Sequence, residues 1–337
     1  MASPSRKRQR RVSNTHSAAR PKPGASAPTR PADSSTRATR VLMFLMQKLP
    51  PNIREKALDY LVLTRMDRPI GALLLLWPTW WALWLAAGDF PPVKLLVIFT
   101  MGVFAMRAAG CAINDFADRK LDPQVERTAG RPIASGRVTP KEALIVFGAL
   151  LAFSFILVLF TNPLTIKLSF AGAALAAIYP FTKRYTHLPQ VVLGAAFGWS
   201  IPMAFAAVSN TVPPLGWLLF IANIIWSVIY DTQYALVDRE DDIKAGAKST
   251  AILFGDADIP ILSILIATFV LAMFFVGQRG ALGWPYWLAL VVAIGLFARQ
   301  MWSIRTHDRT ACLAAFRNNN WLGMVLWVGI VLALAIK

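Results

Sequence analysis

From residue 70 onward the chain alternates between long apolar runs and short polar breaks. The runs lie near 70–87, 93–112, 141–160, 164–181, 190–208, 213–236, 258–276, 284–302 and 319–336, each 18 to 24 residues long. At about 1.5 Å per residue, a helix of that length crosses the roughly 30 Å of hydrocarbon in a bilayer. The pattern predicts an all-α integral membrane protein with about nine transmembrane helices. The run at 164–181, interrupted by Lys167 and Pro180, carries the weakest signal of the nine. Residues 70–337 therefore read as a transmembrane domain, 41–69 as a membrane-proximal helical segment, and 1–40 as a tail with little to bury.

Composition sharpens this picture. Hydrophobic residues make up 56% and charged residues only 16%, against about 25% charged in an average soluble domain. Such apolar content excludes a disordered chain, and two cysteines in 337 residues exclude a disulfide scaffold. The net charge of +17 would in a soluble protein point to nucleic acid, so its distribution matters. Residues 1–40 hold ten basic side chains against Asp33 alone, a net +9. This Ser-, Pro- and Arg-rich tail reads as disordered. Its Arg6–Arg11 run suits a localisation patch, anionic lipid or plain solvent, and its composition also resembles a mitochondrial transit peptide.

With the N-terminus placed in the cytoplasm, the inner breaks fall near 107–141, 182–189, 237–257 and 303–318. Together with the first 69 residues and Arg299 at the inner end of the 284–302 run they hold 31 of the 35 Lys and Arg, leaving only Lys94, Lys167, Arg279 and Lys337 outside. That is the positive-inside pattern. It favours a bacterial inner membrane, with the mitochondrial inner membrane as the alternative. Cys111 and Cys312 fall at inner helix ends, where a reducing compartment disfavours a disulfide, and His16, His187 and His307 are too scattered for a zinc site.

Nine acids, counting Glu126, crowd into two windows: Asn114 to Asp122, and Tyr230 to Asp242. On a helix Asn114, Asp118 and Asp122 fall at about 0°, 40° and 80°, and Asp231, Asp238 and Asp242 at about 0°, 340° and 20°. Continuity through Asp122 is assumed, because Pro123 follows it. Four predicted spans separate the windows, so both stripes emerge on one side of the membrane. Facing carboxylates repel unless neutralised. Mg²⁺ prefers such hard oxygens and fills its remaining positions with water or phosphate, so two clusters can grip a diphosphate, helped by nearby cations such as Arg107, Arg119, Lys120, Arg131, Lys183 and Arg184. A multi-pass transporter of cations or organic anions is the competing class, but it expects acids near the bilayer midplane.

The stretches Asn114–Asp122 and Asp231–Asp242 resemble the NDxxDxxxD and DxxYAxxDxxxD motifs of the UbiA superfamily of intramembrane aromatic prenyltransferases. The likeness extends through Arg65–Gly71, Arg127–Pro132, Tyr179–Arg184 and Lys248–Ala251, over about residues 58–336. The Tyr-Asp-Thr-Gln-Tyr-Ala and Arg-Thr-Ala-Gly-Arg-Pro strings are most similar to the 4-hydroxybenzoate branch, other aromatic acceptors being the alternative within the superfamily. The resemblance implies transfer of a polyprenyl group from its diphosphate to the ring carbon ortho to the acceptor's hydroxyl, in ubiquinone biosynthesis, with Mg²⁺ as cofactor. It assigns Asn114, Asp118, Asp122, Asp238 and Asp242 to the metal, and Lys183 and Arg184 to the diphosphate. Arg65 and Arg68 would assist with phosphate or carboxylate, Tyr234 would contact substrate or pack, and Asp238 or Asp231 would orient or deprotonate the phenol. Asp115 and Asp241 are expected as supporting positions or alternative ligands. The implied partners are polyprenyl diphosphate, 4-hydroxybenzoate and the lipid bilayer, with no specific nucleic acid.

Overall fold

The computed structural model describes residues 50–124, 128–182 and 184–337. The tail at 1–40, the first part of the 41–69 segment, and Glu126, Arg127 and Lys183 lie outside the described residues. Among those described there is no strand, and nine segments are long and apolar enough to cross a membrane.

A short helix α1 (Pro51–Leu63) precedes α2 (Ile70–Ala87) and α3 (Val93–Asp118). After a loop come α4 (Pro140–Leu159), α5 (Pro163–Thr182), and a crossing made of α6 (Pro189–Gly198) and α7 (Ser200–Ser209). The chain continues through α8 (Pro214–Ala245), short α9 (Thr250–Phe254), α10 (Asp258–Arg279), α11 (Trp284–Ile304) and α12 (Arg309–Ala335). Prolines open many of these helices, where a missing N–H costs nothing. Gly88, Asn210 and Gly246 close three of them in left-handed conformations. The segment with the weakest signal is one unbroken helix, α5, and its Lys167 stays exposed near the helix start.

Three boundaries differ from the sequence expectation, and each difference concerns polar residues. Helix α3 runs on to Asp118 but ends there, so Asp122 sits in a separate 3₁₀ turn (Asp122–Gln124) rather than on the same helix. The assumed continuity fails because Pro123 cannot extend the α-helical ladder. Helix α8 continues unbroken to Ala245, past the expected end at 236, and α12 begins at Arg309 rather than 319. Hydropathy alone stops at the polar turns, whereas the backbone hydrogen bonding does not.

The core gathers where α2, α8, α10, α11 and α12 meet. Trp81 and Trp226 are fully buried with ring centroids 5.2 Å apart. Trp81 donates to the carbonyl oxygen of Gly323 on α12 at 3.0 Å. The remaining first-span tryptophans, Trp77, Trp80 and Trp84, pack around Trp327 at 4.9 to 5.7 Å, so they are packing elements. In contrast, α4 and α5 lie at the periphery with Ile145, Phe153, Phe170 and Ile178 exposed, which in a bilayer is a lipid-facing surface.

Gly323 is the point at which α12 approaches this aromatic core. A Cβ there would lie 2.6 Å from Trp77 and 2.9 Å from Trp226. Gly323→Ala should therefore cost about 1–3 kcal/mol by overpacking and lower the melting temperature in detergent by several degrees. Gly102→Ala, where an added methyl meets nothing within 4 Å, should leave the melting temperature unchanged.

Candidate functional site

Helix α3 delivers the first acidic window to the end of the bundle. Asp115 and Asp118 are 1% exposed, and Asp122 is 5% exposed. Buried charge at this depth must be paired. Arg65 binds both oxygens of Asp115, at 2.8 and 3.0 Å, and adopts a left-handed backbone (φ 56°) in the α1–α2 connection as it does so. Arg131, from the loop after α3, reaches Asp115 at 3.3 Å and both oxygens of Asp122 at 3.0 Å. Asp115 is thus an anchor held between two guanidinium groups. Arg65 is engaged with it, while Arg68 is exposed and pairs with Asp67 at 3.5 Å. Asn114 donates to Asp118 at 3.2 Å, one turn along the same helix face. Burial pushes the Asp122 carboxyl above its ordinary range, opposed by Arg131 and reinforced by Asp118 and Asp115.

Because α8 is continuous, its Asp231, Tyr234, Asp238 and Asp242 share one face. Asp238 is 7% exposed. The other acids of this window turn away: Arg309 at the start of α12 pairs with Glu240 at 3.3 Å and Asp241 at 3.7 Å. Arg239 approaches fully buried Asp258 at 3.6 Å, and His307 contacts the same carboxylate oxygen at 2.7 Å. The Tyr234 ring packs against Phe316 at 4.8 Å.

Helix α3 packs on α2, α4, α5 and α7, whereas α8 packs on α2, α6, α7, α9, α10 and α12. The two acidic helices share α2 and α7 as neighbours. Tyr179 on α5 lies within electrostatic range of Arg107, Asp231 and Asp118. Arg107 sits two turns deeper than Asn114 on the same face of α3. Its guanidinium stacks 5.5 Å from the Phe197 ring, and its buried Nε makes no hydrogen bond. Gly71 makes room for it, since a Cβ there would fall 2.6 Å from that Nε. The sequence had placed Arg107 only among the inner-face cations, although its spacing of seven from Asn114 was a readable signal. A cavity of about 380 Å³ is lined by Ala117, Arg119, Lys120, Leu121, Arg184, Gly246 and Ala247. Arg184 closes one side by donating to the carbonyl oxygen of Ala117.

No three His, Cys, Asp or Glu side chains among the described residues converge closely enough to hold a metal by themselves. The polar groups offered, Asn114, Asp118, Asp122, Asp238 and Asp242, are carboxylates and an amide, which are hard oxygen donors. That set fits Mg²⁺ bound through one or two carboxylates with phosphate and water completing the shell, and does not fit zinc.

A polytopic helical protein in which the ends of two aspartate-bearing helices border one cavity beside cationic side chains has the make-up of a membrane enzyme. The chain belongs to the UbiA prenyltransferase family, whose profile matches residues 75–329. Proteins described as 4-hydroxybenzoate octaprenyltransferase are 58% identical over 272 residues in Saccharophagus degradans (81% of this chain, 91% of that one) and 56% identical over 288 residues in Marinobacter nauticus (85% and 98%). The fold is similar to that of a UbiA homolog from Aeropyrum pernix, with TM-score 0.69 and 23% identity over 77% of this chain and 97% of that one. It also matches a UbiA homolog from Archaeoglobus fulgidus bound to GPP and Mg²⁺, with TM-score 0.60 and 19% identity over 81% and 99%.

Removing Asp115 would leave Arg65 and Arg131 facing each other across a buried gap. Asp115→Asn should destabilise the protein by up to about 3–5 kcal/mol, the usual cost of breaking a buried ion pair from one side. Arg184→Ala should leave the melting temperature nearly unchanged, and thermal denaturation of the two variants in the same detergent compares them.

Proposed function

We propose that this protein transfers a polyprenyl group, octaprenyl by analogy with its relatives' names, from the diphosphate to the carbon ortho to the hydroxyl of 4-hydroxybenzoate. What supports this reading is the cavity at the ends of the two aspartate-bearing helices, lined by Ala117 and Leu121 on the α3 side, by Gly246 and Ala247 just past α8, and by the cations Arg119, Lys120 and Arg184. In our reading Asp118 and Asp122 serve it from one side and Asp238 and Asp242 from the other. The relatives' descriptions support the choice of acceptor. The distribution of basic residues supports a cytoplasmic N-terminus and a chamber opening to the cytoplasm, and the bacterial relatives support a bacterial inner membrane.

The diphosphate head lies between the two aspartate segments, with Arg184 and its neighbour Lys183 contributing positive charge. Mg²⁺, when bound by the aspartates, supplies Lewis-acid stabilisation of the leaving diphosphate worth several kcal/mol. The carbon–oxygen bond of the allylic diphosphate breaks, and the apolar walls keep water from the allylic cation. The phenol ring attacks through its ortho carbon, and the ring proton then leaves. Asp231 and Asp238 hold the acceptor's hydroxyl and receive that proton, and Tyr234 borders the acceptor. Arg107, buried with an unused Nε, takes the acceptor's carboxylate. The polyprenyl tail extends into the bilayer, each buried methylene favouring that location by about 0.8 kcal/mol.

Membranes containing the protein should form the prenylated acid from 4-hydroxybenzoate and a polyprenyl diphosphate only when Mg²⁺ is present. Asp118→Ala and Asp238→Ala should abolish product, and near-normal turnover in either would remove the clamp. Arg184→Ala should raise the KM for the diphosphate. Arg107→Ala should raise that for 4-hydroxybenzoate by about 10–100-fold, the worth of a charge-assisted hydrogen bond.

A further inference from the structure

Two buried residues of α8 have no part in this chemistry, yet they sit between Asp231 and Tyr234. Thr232 and Gln233 are both 0% exposed. Gln233 lies about 200° around the helix from Asp231, on the back of the acidic face. Its Nε2 donates to Oε1 of Gln300 on α11 at 3.0 Å, and its Oε1 accepts from Nδ2 of Asn319 on α12 at 2.9 Å. Gln300 and Asn319 are themselves buried. Asn319 also accepts from Nε1 of Trp226 at 2.9 Å and donates to the carbonyl oxygen of Ala315 at 3.0 Å. Trp226 precedes Gln233 by two turns of the same helix, so α12 holds α8 at two heights through one asparagine. On another side, Thr232 bonds Thr250 of α9 at 2.6 Å, and the Thr250 amide donates to Gln190 of α6 at 3.2 Å.

Apolar packing alone leaves the register of a membrane helix weakly specified, because neighbouring leucines and lipid tails are equally apolar. A slip of one residue moves a helix about 1.5 Å and turns its faces by about 100°. That slip would strand three amides in an apolar core, where an unmade hydrogen bond is costly. A single buried polar side chain is known to set register in this way in coiled coils.

We propose that Gln233, through Gln300 and Asn319, is a positioning residue that fixes the rotation and depth of α8, and so the geometry with which Asp238 and Asp242 meet the metal and diphosphate. The inference rests on the diphosphate-clamp reading. The Gln300 Nε2 makes no hydrogen bond, so Gln300 contributes through Oε1 alone, to Gln233 at 3.0 Å and more weakly to Asn319 at 3.5 Å, where Asn319 uses both ends of its amide. The loss on replacement should therefore fall in the order Asn319, Gln233, Gln300.

The test uses the full chain in detergent, with Mn²⁺ as a spectroscopic probe titrated by electron paramagnetic resonance beside an unreactive prenyl thiolodiphosphate. Gln233→Leu should weaken Mn²⁺ binding by about 10–100-fold, the range for residues that orient metal ligands, and lower kcat, with a smaller rise in the KM for 4-hydroxybenzoate than Arg107→Ala gives. The double variant Gln233→Leu/Gln300→Leu should be no worse than Gln233→Leu, and the exchange Gln233→Asn/Asn319→Gln should recover part of the binding. If Gln233→Leu does not fold, Gln300→Leu carries the same measurement. Unchanged Mn²⁺ affinity and turnover per folded molecule, or simple additivity in the double variant, would overturn the proposal. Failure of the unaltered protein to bind Mn²⁺ beside the diphosphate would instead overturn the clamp.

Discussion

Charge buried at the end of an apolar bundle must be compensated where it stands, and much of the architecture follows from that demand. Asp115, 1% exposed, is held between the guanidinium groups of Arg65 and Arg131. Those contacts tie the α1–α2 connection and the loop after α3 to the last turn of α3. The same demand recurs around α8, where Arg309 faces Glu240 and Asp241, and Arg239 and His307 converge on Asp258. Ion pairs thus tie Asp115, Asp122, Glu240, Asp241 and Asp258 into the scaffold.

Apolar contact and polar contact divide the work of holding the helices. Trp81, Trp226 and Phe269 fill the centre with area that is favourable but forgiving of small slips. Hydrogen-bonded side chains such as Gln233, Asn319 and Thr232 are unforgiving, since each has a partner in only one register. Peripheral α4 and α5 carry little of this polar wiring in their middle turns, which suits helices whose outer faces meet lipid.

Helix count and approximate spans were legible because hydrocarbon demands about 20 apolar residues per crossing, and that demand is written continuously along the chain. The paired aspartate segments were legible because helical periodicity places Asp231, Asp238 and Asp242 on one face whatever lies around them. Periodicity misled at Asp122, where Pro123 ends the regular geometry and Arg131, nine residues further on, supplies the connection. It puts Arg107 on the face of Asn114, seven residues back, but the packing around Arg107 comes from Gly71 and Phe197 on other helices.

The sequence by itself determined the fold class, the side of the membrane shared by both acidic segments, and the family to which they point. Each of these is set by local hydropathy, helical phase or motif, all one-dimensional properties. Tertiary structure decided which charged partners reach each acid. Asp115 and Asp118 stand three residues apart on α3, yet Asp115 meets Arg65 and Arg131 while Asp118 meets Asn114. A carboxylate's role follows from the charges that reach it, and here they come from residues up to 50 positions away.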